Sequence, residues 1–110
     1  MPSGLKKRRE FLHVQSTGRR FKGRLMVLLI AEHRSGEPRI GLTISRKVGN
    51  AVVRNKVRRR LREIIRRDLS SQFGSADHVI VAYQNAARAD FTSLRDDLQC
   101  LLSRVPKHHS

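Results

Sequence analysis

Hydrophobic residues recur along this chain with two different periods, and the switches between them mark out its elements. From Ala51 to Asp68 they come at helical spacing. Val53, Val57, Leu61, Ile64 and Ile65 share one stripe at about 100° per residue, while Asn55, Arg58, Arg59, Arg62 and Arg66 gather opposite. A second amphipathic helix is expected after Asp90 or Thr92 as its cap, with Phe91, Leu94, Leu98, Leu101, Leu102 and Val105 inward and Pro106 as its stop. A shorter helix is expected from Glu10, with Phe11, Leu12 and Val14 inward, ending before Gly18. Between these lie runs of strand character. Leu25 to His33 is continuously apolar, and His78 to Tyr83 reads HVIVAY. Arg39 to Ser45 alternates, with Ile40, Leu42 and Ile44 on one side and Arg39, Gly41, Thr43 and Ser45 on the other. RSGEP reads as a turn, so the strands on either side of it are expected to pair as a hairpin with one polar face. Gly41 on that face marks either a bulge or a close approach by a ligand's backbone. GRRFKGR carries a further short strand around Arg20 to Lys22.

The order α-(β)-β-β-α-β-α defines an α+β chain, a small α/β sandwich of one mixed sheet of about four strands with three helices packed on it. At 110 residues it is one domain, because neither half could bury a core alone. Residues 10–105 form that domain, residues 1–9 read as a flexible basic arm, and residues 106–110 as a tail. The strand-helix-strand unit around the basic helix is by general rule right-handed.

Charge changes the picture more than composition does. The chain carries a formal net charge of +15, far beyond what solubility needs, which points to nucleic acid ahead of a membrane surface. Its 18 Arg against 6 Lys favour a partner rich in phosphate, which the guanidinium fork binds bidentately. No apolar run reaches the length of a membrane span, and MPSGLKKRREF has no apolar stretch of secretory type. The lone Cys100 excludes an internal disulfide and a Cys-based zinc site, fits a reducing cytoplasm, and is expected to be a buried thiol.

Of the fourteen residues from Arg54 to Arg67, eight are Lys or Arg, and only Glu63 offsets them. Arg54, Arg58, Arg62 and Arg66 repel one another at i,i+4, so a polyanionic partner explains the run better than a solvated face does. The loop SRKVGNAV leads into this helix. Asn50 is placed to cap it, and Ser45, Arg46 and Lys47 stand before a helix N-terminus whose free N–H groups favour phosphate. The expected nucleic-acid contacts are therefore Ser45, Arg46, Lys47, Asn50, Arg54, Asn55, Lys56, Arg58, Arg59, Arg62 and Arg66. Phe21, flanked by Arg20, Lys22 and Arg24, is either a base-stacking aromatic or a cap on the core. Hydrolytic chemistry is not visible. The nine acids are dispersed, Asp96 and Asp97 point about 100° apart on a helix, and the histidines lie singly or in the tail.

SRKVGNAVVRNKVRRRLRE, Ser45 to Glu63, preceded by the strand RIGLTI, resembles the signature of the protein subunit of bacterial ribonuclease P. Gly49, Asn50, Ala51, Val52, Arg54, Asn55, Arg59 and Arg62 fall in step with it, and weaker similarity extends through REFLHV and ADHVIVA to the last helix. The resemblance implies a left-handed βαβ crossover, against the general rule. It implies a catalytic RNA and precursor tRNA as partners, with no membrane and no obligate protein partner. It further implies removal of the tRNA 5′ leader by phosphodiester hydrolysis, with no catalytic residue on the protein, no cofactor bound by the protein alone and Mg2+ held by the RNA. The cleft between the first helix and the sheet's polar face would hold the single-stranded leader. Phe11 matches an aromatic of that cleft, and Gln15, Phe21, Arg39, Thr43 and Tyr83 complete the expected set. Gln15 stands where a second aromatic is common and Tyr83 where the strand often ends in Arg. Two rival classes remain: a ribosomal or other structural RNA-binding protein, and a protein nuclease in its own right. A DNA-reading basic helix lacks the heptads or paired helices that such readers use.

Overall fold

A computed structural model of the chain describes residues 3–5, 7–32 and 36–106. Five strands and three helices alternate in it: β1 (Ser3–Gly4), α1 (Arg8–Thr17), β2 (Arg19–Lys22), β3 (Met26–Glu32), β4 (Arg39–Thr43), α2 (Ala51–Ile64), β5 (Ala76–Ala82) and α3 (Phe91–Arg104). They form one mixed sheet in the order β1-β4-β5-β3-β2, flanked by α2 and α3 on one face and α1 on the other.

The expected hairpin does not form. β5 lies between its two strands, antiparallel to β3 and parallel to β4. Burial explains the order: β3 and β5 are buried on both sides and take the centre, whereas β4, whose sequence alternates, suits a position nearer the edge. α2 therefore serves as a crossover between neighbouring parallel strands. The basic arm is also corrected. Ser3 and Gly4 pair with Arg39 and Ile40, Leu5 is buried and donates its N–H to the Ile40 carbonyl at 2.8 Å, and α1 starts at Arg8. The expected tail at residues 107–110 and the strand end at His33 lie outside the described residues.

The larger core joins Met26, Leu28, Ile30 and Ile80 of the sheet to Val57, Leu61 and Ile64 of α2 and to Leu94, Leu98 and Leu101 of α3. The α2 stripe extends beyond Ile64 through one π turn, Ile65–Leu69, which buries Ile65 and Leu69 in the same core. The smaller core, under α1, holds Leu5, Val14, Val27, Leu29 and Val79. Leu12, expected inward, is 48% exposed, because the ten-residue α1 has room for only a narrow apolar stripe through Phe11 and Val14. Cys100, expected buried, is exposed on α3.

Asp90, not Thr92, caps α3, its carboxylate accepting the Ser93 N–H at 2.8 Å. That backbone bond, with a Ser93 side-chain bond and the charge of Arg60, holds the Asp90 carboxyl below its ordinary pKa. A depressed folded-state pKa means the stabilisation is present above about pH 4 and is lost as pH falls through the folded value. Thermal melts between pH 5 and about pH 2.5 should show a smaller acid-induced loss for Asp90→Asn, which keeps the cap acceptor but cannot titrate, than for the parent chain. Equal losses would remove Asp90 from the groups responsible.

Candidate nucleic-acid interface

The basic helix begins as its sequence requires. Asn50 has extended backbone geometry and its side chain accepts the Val53 N–H at 3.0 Å. Gly49 before it has φ +158°, and a Cβ there would run into the Val53 side chain, so the tight entry needs glycine. Val48 is buried and donates its N–H to the Ser45 carbonyl at 3.0 Å, pinning the loop while Ser45, Arg46 and Lys47 stay exposed. Arg54 reaches back to the Gly49 carbonyl at 3.2 Å and closes the turn from the helix side.

Along α2 and the turn that prolongs it, Asn55, Lys56, Arg59, Arg62 and Arg66 are exposed and Arg54 and Arg58 half-buried, while Val57, Leu61 and Ile64 face the core. Arg58 donates to the Asn55 side-chain oxygen at 2.9 Å, leaving the Asn55 amide hydrogens outward. Arg66 pairs with Glu63 at 2.6 Å and Arg67 lies 3.8 Å from it, so the lone acid of the run neutralises one end of the cationic face, and among the described residues no cation from Arg54 to Arg62 forms an ion pair. Arg60, absent from the expected contact set, turns to the segment before α3 and donates to the Ala89 carbonyl at 2.7 Å. Val52 is 77% exposed on the first turn, an apolar spot beside the loop cations that the helical stripe gave no reason to single out.

The second part of the site lies on the opposite face of the sheet, under α1. Phe11, Val81 and Tyr83 are half-buried against the smaller core, and strand alternation puts Arg39 and Thr43 on that face too. Gly41 is neither bulge nor ligand contact: a Cβ there would collide with the Phe11 ring, so this glycine is the seat on which the ring rests. Gln15, one turn after Phe11, is exposed. Phe21 does not join this cleft. It pairs with Leu28, packs against the larger core and carries Arg19 over its ring at 5.4 Å, so strand parity sends it to the face opposite Phe11. The core-cap alternative describes it.

Arg39 is already engaged. It donates to Asp77 of β5 at 2.6 and 2.7 Å and to Glu10 of α1 at 2.6 Å, while Glu10 also accepts the Lys7 N–H at 2.9 Å. The hydrogen bond to Asp77 raises the Arg39 pKa by more than burial lowers it, and the charges of Asp77 and Glu10 add to the rise. Arg39 thus fastens α1 to the sheet at one end of the cleft. Arg39→Met is expected to cost about 2 kcal/mol, less than a fully buried ion pair because the guanidinium is partly exposed. A thermal midpoint lowered by roughly 10 °C would agree, and no shift would show the ion pairs contribute nothing.

β4 and β5 run parallel with Thr43 beside Val81, so Ser45 and Tyr83 emerge at the same edge of the sheet. The basic loop, the α2 N-terminus and the open end of the cleft therefore converge at the carboxyl ends of two adjacent parallel strands. Among the described residues no group of three or more His, Cys, Asp or Glu gathers as a metal site. No helix among them is long and apolar enough to cross a membrane. Fold and surface together define a small RNA-binding α/β domain, with a cationic helix on one face and a cleft on the other.

The Ribonuclease P family profile matches residues 2–106, and the chain belongs to that family. It is 40% identical over 107 residues to the ribonuclease P protein component of Brucella melitensis, covering 86% of this chain and 73% of that protein. To the corresponding protein of Gluconacetobacter diazotrophicus it is 40% identical over 103 residues, covering 92% and 89%. Among solved structures, the RNase P protein from Thermotoga maritima superposes with a TM-score of 0.85 at 30% identity, covering 96% of this chain and 99% of that one.

Proposed function

We propose that this chain is the protein subunit that assists a catalytic RNA in removing the 5′ leader of precursor tRNA. The α2 face and the Ser45–Asn50 loop bind the catalytic RNA, and the cleft around Phe11, Thr43 and Tyr83 receives the single-stranded leader. Cleavage is hydrolysis of the phosphodiester at the leader junction, with Mg2+ held by the RNA. The protein's own groups position and neutralise. Arg58, Arg59 and Arg62 meet phosphates, and the Phe11 ring offers a sequence-tolerant stacking surface, as a cleft serving many leaders requires.

One observation carries this reading. The exposed cations of α2, its capped N-terminus and the mouth of the aromatic cleft meet at one edge of the sheet. A single protein can there touch a folded RNA and the strand leading to its cleavage point. Reconstitution with the cognate catalytic RNA at low Mg2+ tests it directly: precursor cleavage should rise on adding the protein. No gain would favour a structural RNA-binding role, and cleavage by the isolated, RNA-free chain would favour a protein nuclease. Phe11→Ala should weaken binding of precursor tRNA by about tenfold, the value of one stacked base, and leave mature tRNA unchanged. Equal losses for both would make Phe11 a packing residue.

A further inference from the structure

We propose that this chain carries a second RNA-backbone groove, at the β2 edge of the sheet, that binds a further phosphodiester segment of its RNA partner. The proposal rests on the ribonucleoprotein reading above. The groove is open, about 660 Å3, and lies between α3, the β2–β3 turn and the segment Gln84–Arg88. Lys22, Arg24, Arg88 and Arg104 line it, from four different stretches of the chain. None of the four forms an ion pair among the described residues. Its two carboxylates are otherwise engaged: Asp97 accepts the Arg24 and Leu25 N–H groups at 2.9 Å each, and Asp96 pairs with Arg95 at 3.5 Å.

The groove is held in shape by more bonds than a surface turn needs. Besides the two bonds to Asp97, Asn85 donates to the Arg24 carbonyl at 3.0 Å, Arg104 to the Lys22 carbonyl at 2.7 Å, and the Gly23 N–H to the Met26 carbonyl at 2.8 Å. Four cationic residues thus line one concavity whose backbone is tied in place, a concentration of positive charge, only partly offset by Asp96 and Asp97, that a polyanion relieves. Position selects among RNAs. The groove is built on α3, which packs with α2 on the sheet face opposite the Phe11 cleft, and Ala89 at its wall is bonded to Arg60 of α2. The RNA on α2 has only to pass over Gln84–Arg88 to enter it.

Cys100, the chain's single cysteine, is exposed in this groove and reports on it. Its alkylation by N-ethylmaleimide should slow several-fold when the cognate catalytic RNA binds, with complex formation scored by filter binding in the same sample. Arg24→Gln combined with Arg88→Gln should keep the complex, restore Cys100 reactivity and lower the salt slope of affinity by about two units. The Arg24→Lys/Arg88→Lys pair should retain the parent slope. A complex that forms while Cys100 reacts at the free-protein rate would overturn the groove and leave the α2 interface standing. Protection that appears only when precursor tRNA is added would assign the groove to substrate and also overturn the proposal. Failure to form any complex would overturn both readings.

Discussion

Replacing Arg58, Arg59, Arg62 and Arg66 together with Gln should flatten the salt dependence of RNA affinity by three to four units, against about one unit for Arg58 alone. Arg66 accounts for the range, because Glu63 already neutralises part of its charge at 2.6 Å. With a charged hydrogen bond contributing about 1.5 kcal/mol at the least, three lost contacts correspond to about a thousandfold weaker binding. The fold should not suffer. Repulsion between Arg58, Arg62 and Arg66 at i,i+4 disappears, so the thermal midpoint should hold or rise. Affinity lost with an unchanged slope would mean that this face does not meet phosphates.

Leu61→Ala should show the opposite pattern. Leu61 has 0% exposure in the core that joins α2, α3 and the sheet. Its truncation leaves a cavity as well as lost burial, expected to cost 2–5 kcal/mol of a total near 5–15 kcal/mol for a domain of this size. The thermal midpoint should fall by about 10 °C or more, while the salt slope, measured where the variant is still folded, keeps its parent value. A drop under about 4 °C would show that the site collapses onto the gap, or that Leu61 matters less than its burial suggests.

Local structure is legible in this sequence, and pairing across the chain is not. Asn50 and Asp90 are short polar residues set directly before apolar periodicity, and both cap their helices. The α2 stripe and its cationic reverse follow from spacing alone, as does the identity of the arginines that face outward. Strand order does not. The sequence RSGEP after β3 points to a hairpin, but the decision is made by the remote strand β5, which is buried on both sides and takes the centre of the sheet. The same holds for Phe21, whose flanking cations leave stacking and core-capping equally open; its register with Leu28 decides for the core. The reason for Gly41 lies in another element, the Phe11 ring, and the ion pairs of Arg39 are hidden because its partners Glu10 and Asp77 are remote in sequence. Arg60 differs from its neighbours in angle alone, since it lies between the apolar stripe and the exposed face.

The central position of β5 also governs when the molecule becomes competent. β4 pairs with β5 on one side and only with the two residues of β1 on the other, while β3 and β2 pair elsewhere. A nascent chain or proteolytic fragment that stops short of residue 76 lacks the strand that hydrogen-bonds these halves into one sheet, and its arginine helix loses the centre of its floor. Only polypeptide that extends through β5 can present that helix on a complete sheet, so shorter products make poor competitors for the RNA.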